Sequence, residues 1–352
     1  GENFTAADVK FSIETASQFH SRNRSTFSKI TEIATPDDHT VVLTLSEPTP
    51  FLLKAFSSME SPMVPSHLYE GGQDPLTHPN NTAPIGTGAY VFKEWVRGSH
   101  VIWEKNLNYW NPDLPQVDRL VAKFVHDPSA RTIAFETGDV DIGYRTPIPF
   151  RDIDRVKEMD HLEFTSDGYQ YDPPNIIIVE ANLRDEVLSN LKVRQAIAHC
   201  IDREMINRVV FFNYATPSAA PVVPYHGAFH LDEPSPYAYD AEAAKGLLEE
   251  AGYPEGISLT MEYVGHDQRI LGEFLRAAMN RAGIKIELRG QDMGTLIKRV
   301  YGDQEYQLHL ASISNLFEPQ VGVQRLYWSK NIIKGVGFSN GTGFADDEVD
   351  AW

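Results

Sequence analysis

Two kinds of hydrophobic periodicity occur in the first third of the chain. The stretch "FTAADVKFSIETA" places apolar residues at helical intervals, and Thr5 and Asp8 have the spacing of a capping box. The stretch "HTVVLTLSEP" alternates with period two, which is typical of a half-buried strand. The pattern therefore predicts a helix followed by a strand near the N-terminus.

A second strand-rich region follows a loop rich in glycine and proline. From Tyr90 to Lys105 the pattern predicts two strands around a turn at 97–99, and "DRLVAKFV" predicts a third strand. The next segment predicts a short helix that ends at Gly138, followed by a strand at Val140 to Tyr144.

The second half of the chain predicts an α/β unit with a largely parallel sheet. A buried strand in "NIIIVEANL" precedes two helices, of which the second has Asp202 as its N-cap. A helix-to-strand pattern then occurs twice, and Gly252 and Gly283 stand where each helix ends. The predicted ranges are helices at 191–200, 202–211, 240–251 and 267–282, and strands at 257–263 and 284–289.

Charge and composition exclude several classes of protein. The 352 residues carry a formal net charge of −18, so the average surface repels nucleic acid and anionic lipid. No apolar run is long enough to span a membrane. Cys200 is the single cysteine and lies in a predicted helix, where a small buried hydrophobe is the expected role.

The stretch "PIGTGAYVFKEWVRGSHVIWEKNLNYWN" offers two candidate sites, a phosphate loop and an aromatic surface. A strand follows the "GTG" of this stretch where a dinucleotide fingerprint needs a helix, so we expect a tight turn. Its aromatic residues could stack on sugar rings. Several of them alternate with strand period, however, and cross-strand and core packing is the preferred interpretation.

Histidines and acidic residues are the other candidates for a metal-binding or catalytic site. A helical His226 and His230 pair could bind a metal, but the surrounding prolines and glycine favour a loop and no metal site is predicted. His309 lies in an apolar strand and is expected to be packed or hydrogen-bonded. The "DDEVD" at 346–350 could suggest calcium binding, but the central glycine of a calcium loop is absent and a helix start is predicted. No nucleophile with its base can be named for catalysis.

Read in order, these segments resemble family 5 of the extracytoplasmic solute-binding proteins, the peptide, oligopeptide and nickel type that serves ABC importers. The resemblance covers nearly the whole chain. It is carried by six segments in the family's order, which are "FTAADVKFSIETA", "PIGTGAYVFKEWVRGSHVIWEKNLNYWN", "ETGDVDI", "LKVRQAIAHCIDREMI", "YDAEAAKGLLEEAGYPEG" and "SNGTGFADDEVDAW".

The resemblance implies an α/β fold of the periplasmic-binding-protein type, class II, cluster C: a two-lobe flytrap with an extra small subdomain. The implied domains are the small subdomain of lobe 1 at 1–85, the core of lobe 1 at 86–187 and lobe 2 at 188–352. Members of the family are usually longer at both ends. The chain is therefore expected to be a fragment that lacks the signal region, early strands of lobe 1 and the C-terminal part.

The implied function is capture of an oligopeptide or peptide-like solute by hinge closure and its delivery to the permease subunits of an ABC transporter. The resemblance implies no cofactor, no nucleic acid, a monomer, and a location that is periplasmic or extracytoplasmic and membrane-anchored in a bacterium or archaeon. One alternative is a non-peptide ligand such as an oligosaccharide, an opine-like conjugate or a metal chelate. A more remote alternative is a hydrolase.

The resemblance also implies five ligand-binding residues. Asn182 matches a family asparagine that faces the ligand, and Met293 lies where a cleft tryptophan is common. Arg299 is the cation nearest to the family's carboxylate-binding position. Asn315, next to Ser314, occupies the place of an acid that pairs with the ligand's α-amino group, and an uncharged amide there forfeits the charge-assisted bond.

Overall fold

The computed structural model describes residues 2–20, 23–57, 60–69, 71–167, 175–316 and 318–351. The chain divides into two compact units, Gly1–Val140 and Asp141–Trp352. The sequence-based division into three parts, with boundaries after residues 85 and 187, stays a prediction. No helix in the described part of the chain is both long and apolar enough to cross a membrane.

The first unit combines a helical start with two small antiparallel sheets. The first helix, α1 (Ala6–Phe19), begins as predicted, because the Asp8 carboxylate accepts a hydrogen bond from the Thr5 backbone N–H at 2.8 Å and completes the capping box. Its elements are α1 (Ala6–Phe19), α2 (Asn23–Thr26), β1 (Ile30–Asp37), β2 (Thr40–Leu45), α3 (Ser66–Tyr69), β3 (Tyr90–Val96), β4 (His100–Lys105), β5 (Arg119–Lys123) and α4 (Pro128–Glu136).

The three predicted strands of the aromatic stretch form one sheet in the order β3-β4-β5. Phe92 lies opposite Trp103 in the register of β3 and β4, so the predicted cross-strand packing is confirmed for this pair. The prediction of core packing is wrong for Trp110, which is 79% exposed and contacts the ring of Tyr109. Trp110 follows β4 in a loop, where strand alternation no longer determines burial.

The strand predicted at Val140 to Tyr144 is wrong. After α4 the backbone N–H groups of Asp139 and Val140 both bond to the carbonyl of Ala134, and residues 140–144 form no strand. Ile142 and Tyr144 are exposed. Their alternation therefore marks a segment at the division between the two units rather than a half-buried strand.

The second unit is an α/β structure around a four-stranded sheet. The helices and strands agree with the predicted ranges to within a few residues, and Asp202 caps the helix that begins at Arg203 by accepting from the Met205 N–H. Its elements are α5 (Phe150–Val156), β6 (Asn175–Ala181), α6 (Leu191–His199), α7 (Arg203–Val209), α8 (Ala241–Glu250), β7 (Ile257–Val264), α9 (Gly265–Arg281), β8 (Ile284–Gln291), α10 (Met293–Ile297), β9 (Leu308–Ser314), α11 (Pro319–Gly322) and α12 (Asp347–Ala351).

The sheet has the order β6-β9-β7-β8. Strand β7 runs parallel to both β8 and β9, as the repeated helix-to-strand pattern predicts, whereas β6 runs antiparallel to β9. The end of β6 therefore lies beside the start of β9, because Ala181 is paired with Leu308. This topology decides which predicted ligand-binding residues can lie close together.

One face of this sheet carries the main hydrophobic core. Leu259 and Met261 of β7, with Leu308 and Leu310 of β9, pack against α6, α8 and α9. Cys200 is buried in the same cluster, and burial raises the pKa of its thiol to about 12, so the predicted role of a small buried hydrophobe is confirmed. The opposite face of the sheet holds the polar groups described below.

Candidate ligand-binding site

Three of the five predicted ligand-binding residues lie at the ends of β9, and the other two, Met293 and Arg299, lie in α10 and in the segment that follows it. Asn182 follows β6 and its backbone N–H bonds to the carbonyl of Gln307, just before β9 begins. Ser314 and Asn315 lie at the other end of the same strand. Seven residues of strand separate the two places by about 20 Å, so they form two groups rather than one cluster.

Asn182 is buried, and its side-chain amide is fully engaged within the protein. Its Nδ2 donates to the carbonyl oxygens of Gln304 and Tyr306 at 3.1 and 2.9 Å. Its Oδ1 accepts from the backbone N–H and the Nη1 of Arg184. The amide thereby joins the end of β6 to the segment before β9, and a solute could bond to it only by displacing one of these partners.

Arg299 is likewise occupied by the protein. Its Nε lies 2.8 Å from Oε1 of Glu262, a β7 residue with no exposed surface, and its Nη2 donates to the carbonyl of Glu305. The guanidinium therefore compensates a buried carboxylate. Its capacity for a solute carboxylate is correspondingly reduced.

Asn182 and Arg299 nevertheless contribute to the same surface cavity, which has a volume of about 440 Å³. Three arginines and two acids line it, so the cavity is polar and carries groups of both charges. Such a surface suits a solute with hydrogen-bonding and charged groups better than an apolar one. The lining residues are Asn182, Arg184, Asp185, Thr260, Arg289, Arg299, Gln304, Glu305, Tyr306 and Gln307.

Met293 lies outside the lining of that cavity. It begins α10 directly after the N-cap Asp292, whose Oδ1 accepts from the Thr295 N–H. The Met293 side chain is 49% exposed. An exposed thioether chain is an adaptable apolar surface, which is compatible with the expected contact to a solute.

Ser314 and Asn315 differ in whether their side-chain hydrogen-bond donors have partners among the described residues. The Ser314 hydroxyl donates to Oδ1 of Asn175 at 2.9 Å on the neighbouring strand β6. Asn315 is 0% exposed, and its Oδ1 accepts from the Val223 N–H at 3.1 Å. Its Nδ2 has no hydrogen-bond partner among the described residues.

The expected loop around His226 and His230 is a short 3₁₀ segment interrupted at Gly227, whose φ of 53° is not helical. His226 Nε2 lies 2.7 Å from the carbonyl oxygen of Asn315, and His230 Nδ1 lies 2.6 Å from that of Val222. Both histidines therefore attach the loop to the protein. Among the residues that the structure describes, no three His, Cys, Asp or Glu side chains are grouped to hold a metal.

Sequence reasoning missed a row of polar side chains on one face of the sheet, which we name the polar ladder. It consists of Glu180, His309, Glu262 and Arg289, which are paired in register across β6, β9, β7 and β8. His309 Nε2 lies 2.6 Å from Oε2 of Glu180, so the prediction of a hydrogen-bonded histidine is confirmed. A lone acid in each of two apolar strands, "NIIIVEA" and "ISLTMEYV", was the available signal.

Tyrosines surround part of the polar ladder. Burial, and then the negative charge of Glu180, raises the pKa of Tyr301 and Tyr306. The same two causes raise the pKa of Tyr327 to about 12. The carboxylate of Glu180 therefore lies in surroundings of low polarity, where its bond to His309 is stronger than in water.

Comparison with known proteins identifies the family. Residues 1–335 match the profile of the bacterial extracellular solute-binding proteins, family 5 Middle. Among curated proteins, the chain is 29% identical over 314 residues to the glutathione-binding protein GsiB of Pectobacterium atrosepticum, a match that covers 86% of this chain and 57% of that protein. The chain thus spans little more than half the length of the curated relatives it matches.

Solved structures show the same fold. The oligopeptide-binding protein AppA of Bacillus subtilis, in complex with a nonapeptide, matches with a TM-score of 0.85 at 20% identity over 100% of this chain and 71% of that one. NikZ of Campylobacter jejuni, in complex with Ni(L-His), matches with a TM-score of 0.80 at 23% identity over 99% and 70%. The predicted α/β fold of the periplasmic-binding-protein type is confirmed, and the chain belongs to the family 5 bacterial extracellular solute-binding proteins.

Proposed function

We propose that this chain is the solute-binding component of an ABC importer that takes up an oligopeptide or peptide-like solute. The observation that carries the proposal is the family match over residues 1–335. Two similar proteins support a peptide-like solute. GsiB is called a glutathione-binding protein, and AppA was solved in complex with a nonapeptide. Function is then a binding equilibrium in which no bond is made or broken.

The proposed mechanism is closure of two lobes around the solute. A ligand that contacts both lobes stabilises the closed form by its differential affinity for that form. The permease subunits would distinguish the closed form from the open one, and charges on the lobe surfaces would guide docking. The protein would act as a monomer on the periplasmic or extracytoplasmic side of the membrane.

We propose that the solute contacts the surfaces carrying Asn182, Arg299, Met293, Ser314 and Asn315. Asn182 and Arg299 contribute through the polar cavity that they share, although their strongest hydrogen bonds are made within the protein. Met293 supplies an exposed apolar surface. Asn315 supplies a donor group that no described residue uses.

A second candidate is a non-peptide solute, such as an oligosaccharide, an opine-like conjugate or a metal chelate. The observation that favours it is the engagement of Arg299 by Glu262, because the single Nε–H is shared between the two carboxylate oxygens at 2.8 and 3.1 Å. A guanidinium held in this way is poorly placed to bind the carboxylate end of a peptide. The complex of NikZ with Ni(L-His) is an example of such a solute in a protein of this fold.

Two measurements on the intact protein test these proposals. Isothermal titration calorimetry with pools of tripeptides to nonapeptides should give binding heats that saturate at one solute per protein. Native mass spectrometry of protein purified from its host should show a co-purified peptide mass. A co-purified non-peptide solute, with no heats from any peptide pool, would establish the second candidate and reject the first.

A further inference from the structure

A second surface cavity lies wholly within the first unit. It has a volume of about 600 Å³, and it is walled by one face of α1, by Tyr69 at the end of α3 and by the loop 71–75 that follows. None of the five residues predicted to bind a solute is among the described residues that line it. A cavity of this size accommodates a small organic molecule, and its lining indicates which kind.

The described lining of this cavity carries two acidic side chains and no basic one. Glu14 projects from α1, and Asp74 belongs to the loop. The Asp74 carboxylate is held in place, because its Oδ1 accepts from the Leu76 N–H at 3.0 Å and caps the 3₁₀ turn Pro75–Thr77. The two carboxylates therefore reach the cavity from two different segments of the chain.

Two basic residues lie beside this lining, and each has a partner of its own. The Nζ of Lys10 lies 3.9 Å from the Glu14 carboxylate, and both side chains are exposed, so this ion pair is weak. Arg24 donates through Nε and Nη2 to the carbonyl oxygen of Gln18 at 3.0 and 2.7 Å. The cavity therefore retains an excess of negative charge, which complements a cation.

Three aromatic rings, those of Phe11, Phe19 and Tyr69, line the same cavity. The centroids of the Phe11 and Tyr69 rings are 6.4 Å apart, and the ring of His78 packs on Tyr69 with a centroid distance of 4.2 Å. The Tyr69 hydroxyl donates to Oδ1 of Asn81 at 3.0 Å, which fixes its ring further. The faces of aromatic rings attract cations, and groups of such rings recognise substituted ammonium ions.

We propose that this cavity binds a small organic cation of the alkylammonium type. The carboxylates of Glu14 and Asp74 supply the opposite charge, and the aromatic rings contact the apolar substituents of the ion. An uncharged apolar molecule would leave the two carboxylates uncompensated, and a bare metal ion would make no use of the rings. The site goes beyond the proposed solute-binding function and does not depend on it, because the residues that carry it all belong to the first unit.

Choline and its neutral isostere 3,3-dimethyl-1-butanol, in which carbon replaces the charged nitrogen, test the proposal. We expect isothermal titration calorimetry of the intact protein to show saturable binding of choline. The isostere has the same shape but lacks the charge, so it should bind at least about tenfold more weakly. Added sodium chloride should weaken the binding of choline, because it screens the two carboxylates. Equal affinity for the two compounds would overturn the proposal.

Substitutions that preserve shape assign the binding to this cavity. Glu14→Gln and Asp74→Asn should each weaken choline binding roughly 2- to 5-fold, and asparagine still caps the turn after position 74. Phe19→Leu removes the ring of a residue that is 41% exposed and should cost a similar factor of about 2 to 5. Glu32→Gln is the matched control, because it removes one charge from exposed β1 and should leave affinity unchanged. An equal loss in Glu32→Gln would assign the binding to the overall negative charge and overturn the site.

A second measurement does not depend on the folding of a variant. In wild-type protein that is deuterated except at its phenylalanine and tyrosine rings, the methyl protons of choline should show nuclear Overhauser effects to Phe11, Phe19 and Tyr69. Effects to other rings only, or no saturable binding of choline to the wild type, would overturn the proposal and leave the solute-binding function intact. Absence of peptide binding with choline binding retained would reject the proposed function alone.

Discussion

Glu262 has no exposed surface, yet it carries a carboxylate in the middle of the four-stranded sheet. Arg299, which comes from the turn after α10, supplies the compensating charge at 2.8 Å. The cost of desolvating a carboxylate is offset only while such a partner is present. At the scale of single residues, Arg299 therefore stabilises the protein besides lining the cavity.

Replacing Arg299 tests this role. We expect Arg299→Met to lower the free energy of unfolding by about 3 kcal/mol, because it leaves the Glu262 carboxylate buried without a partner. Urea denaturation followed by circular dichroism measures the loss. The double variant Glu262→Leu with Arg299→Met should recover most of it, since the isolated charge is then absent.

Arg276→Met provides the matched control, because Arg276 pairs with Glu273 on the exposed surface of α9 and should contribute little. An equal loss of stability in Arg276→Met and Arg299→Met would contradict the role given to Glu262.

Asp8 is a second residue whose partners are distant in sequence. Its Oδ1 accepts from the backbone N–H and the hydroxyl of Ser66, and its Oδ2 accepts from Thr5. Burial raises the pKa of Asp8, but the hydrogen bonds from Ser66 and Thr5 outweigh it and hold the pKa below the ordinary 3.8. The capping box at the start of α1 thus also fixes the start of α3.

The direction of this pKa shift predicts how stability depends on pH. Because the folded state has the lower pKa, the contribution of Asp8 is complete above the ordinary value of 3.8 and is lost as the pH falls through the folded pKa. Asp8→Asn should therefore be less stable than wild type near neutral pH, and the difference should shrink in acid. Urea midpoints of both proteins across this range measure it; a difference that grows in acid would reject the assignment.

At the scale of elements, the parallel pair β7 and β8 depends on a close approach between the turns that precede the two strands. Gly256 has a φ of +81°, and a Cβ there would lie 2.2 Å from the carbonyl oxygen of Gly283. That carbonyl accepts the N–H of Ile257, the first residue of β7. A side chain at position 256 would therefore disturb the first bond between the two strands.

Two glycine substitutions test this packing, because they should change the free energy of unfolding in opposite directions. We expect Gly256→Ala to lower the free energy of unfolding by about 3 kcal/mol or more, since both the backbone conformation and the contact oppose a Cβ. Gly246→Ala in α8 meets nothing within 4 Å and should raise it by about 0.5–1 kcal/mol, because alanine favours helix. Thermal unfolding of the two variants compares them; a mild effect at position 256 would show that the turns can separate.

At the scale of the whole molecule, the proposed function requires a change in shape. If two lobes close around a peptide-like solute, the radius of gyration should decrease when a binding peptide pool is added, because closure makes the molecule more compact. Small-angle X-ray scattering of the intact protein measures this change. Scattering that stays the same at saturation, with binding verified by calorimetry, would contradict closure.

Local periodicity was sufficient for most of the secondary structure, whereas the family came from the resemblance of six segments in order. Three features depend only on residues close by in the sequence: the N-cap at Asp202, the turn after β3 and the repeated helix-to-strand pattern. The strand at Val140 to Tyr144 failed for the same reason, since alternation over a few residues does not show whether a partner strand exists.

The sequence by itself determined the fold class, the absence of a nucleotide fingerprint and the membership in a solute-binding family. Only the tertiary structure decided what the polar residues do, because their partners lie far away in the chain. His309 meets Glu180 across 129 residues, and Asn315 meets Val223 across 92. Strand order and register fix the first pair, and the segment that precedes the 3₁₀ turn Pro224–Phe229 brings Val223 to Asn315.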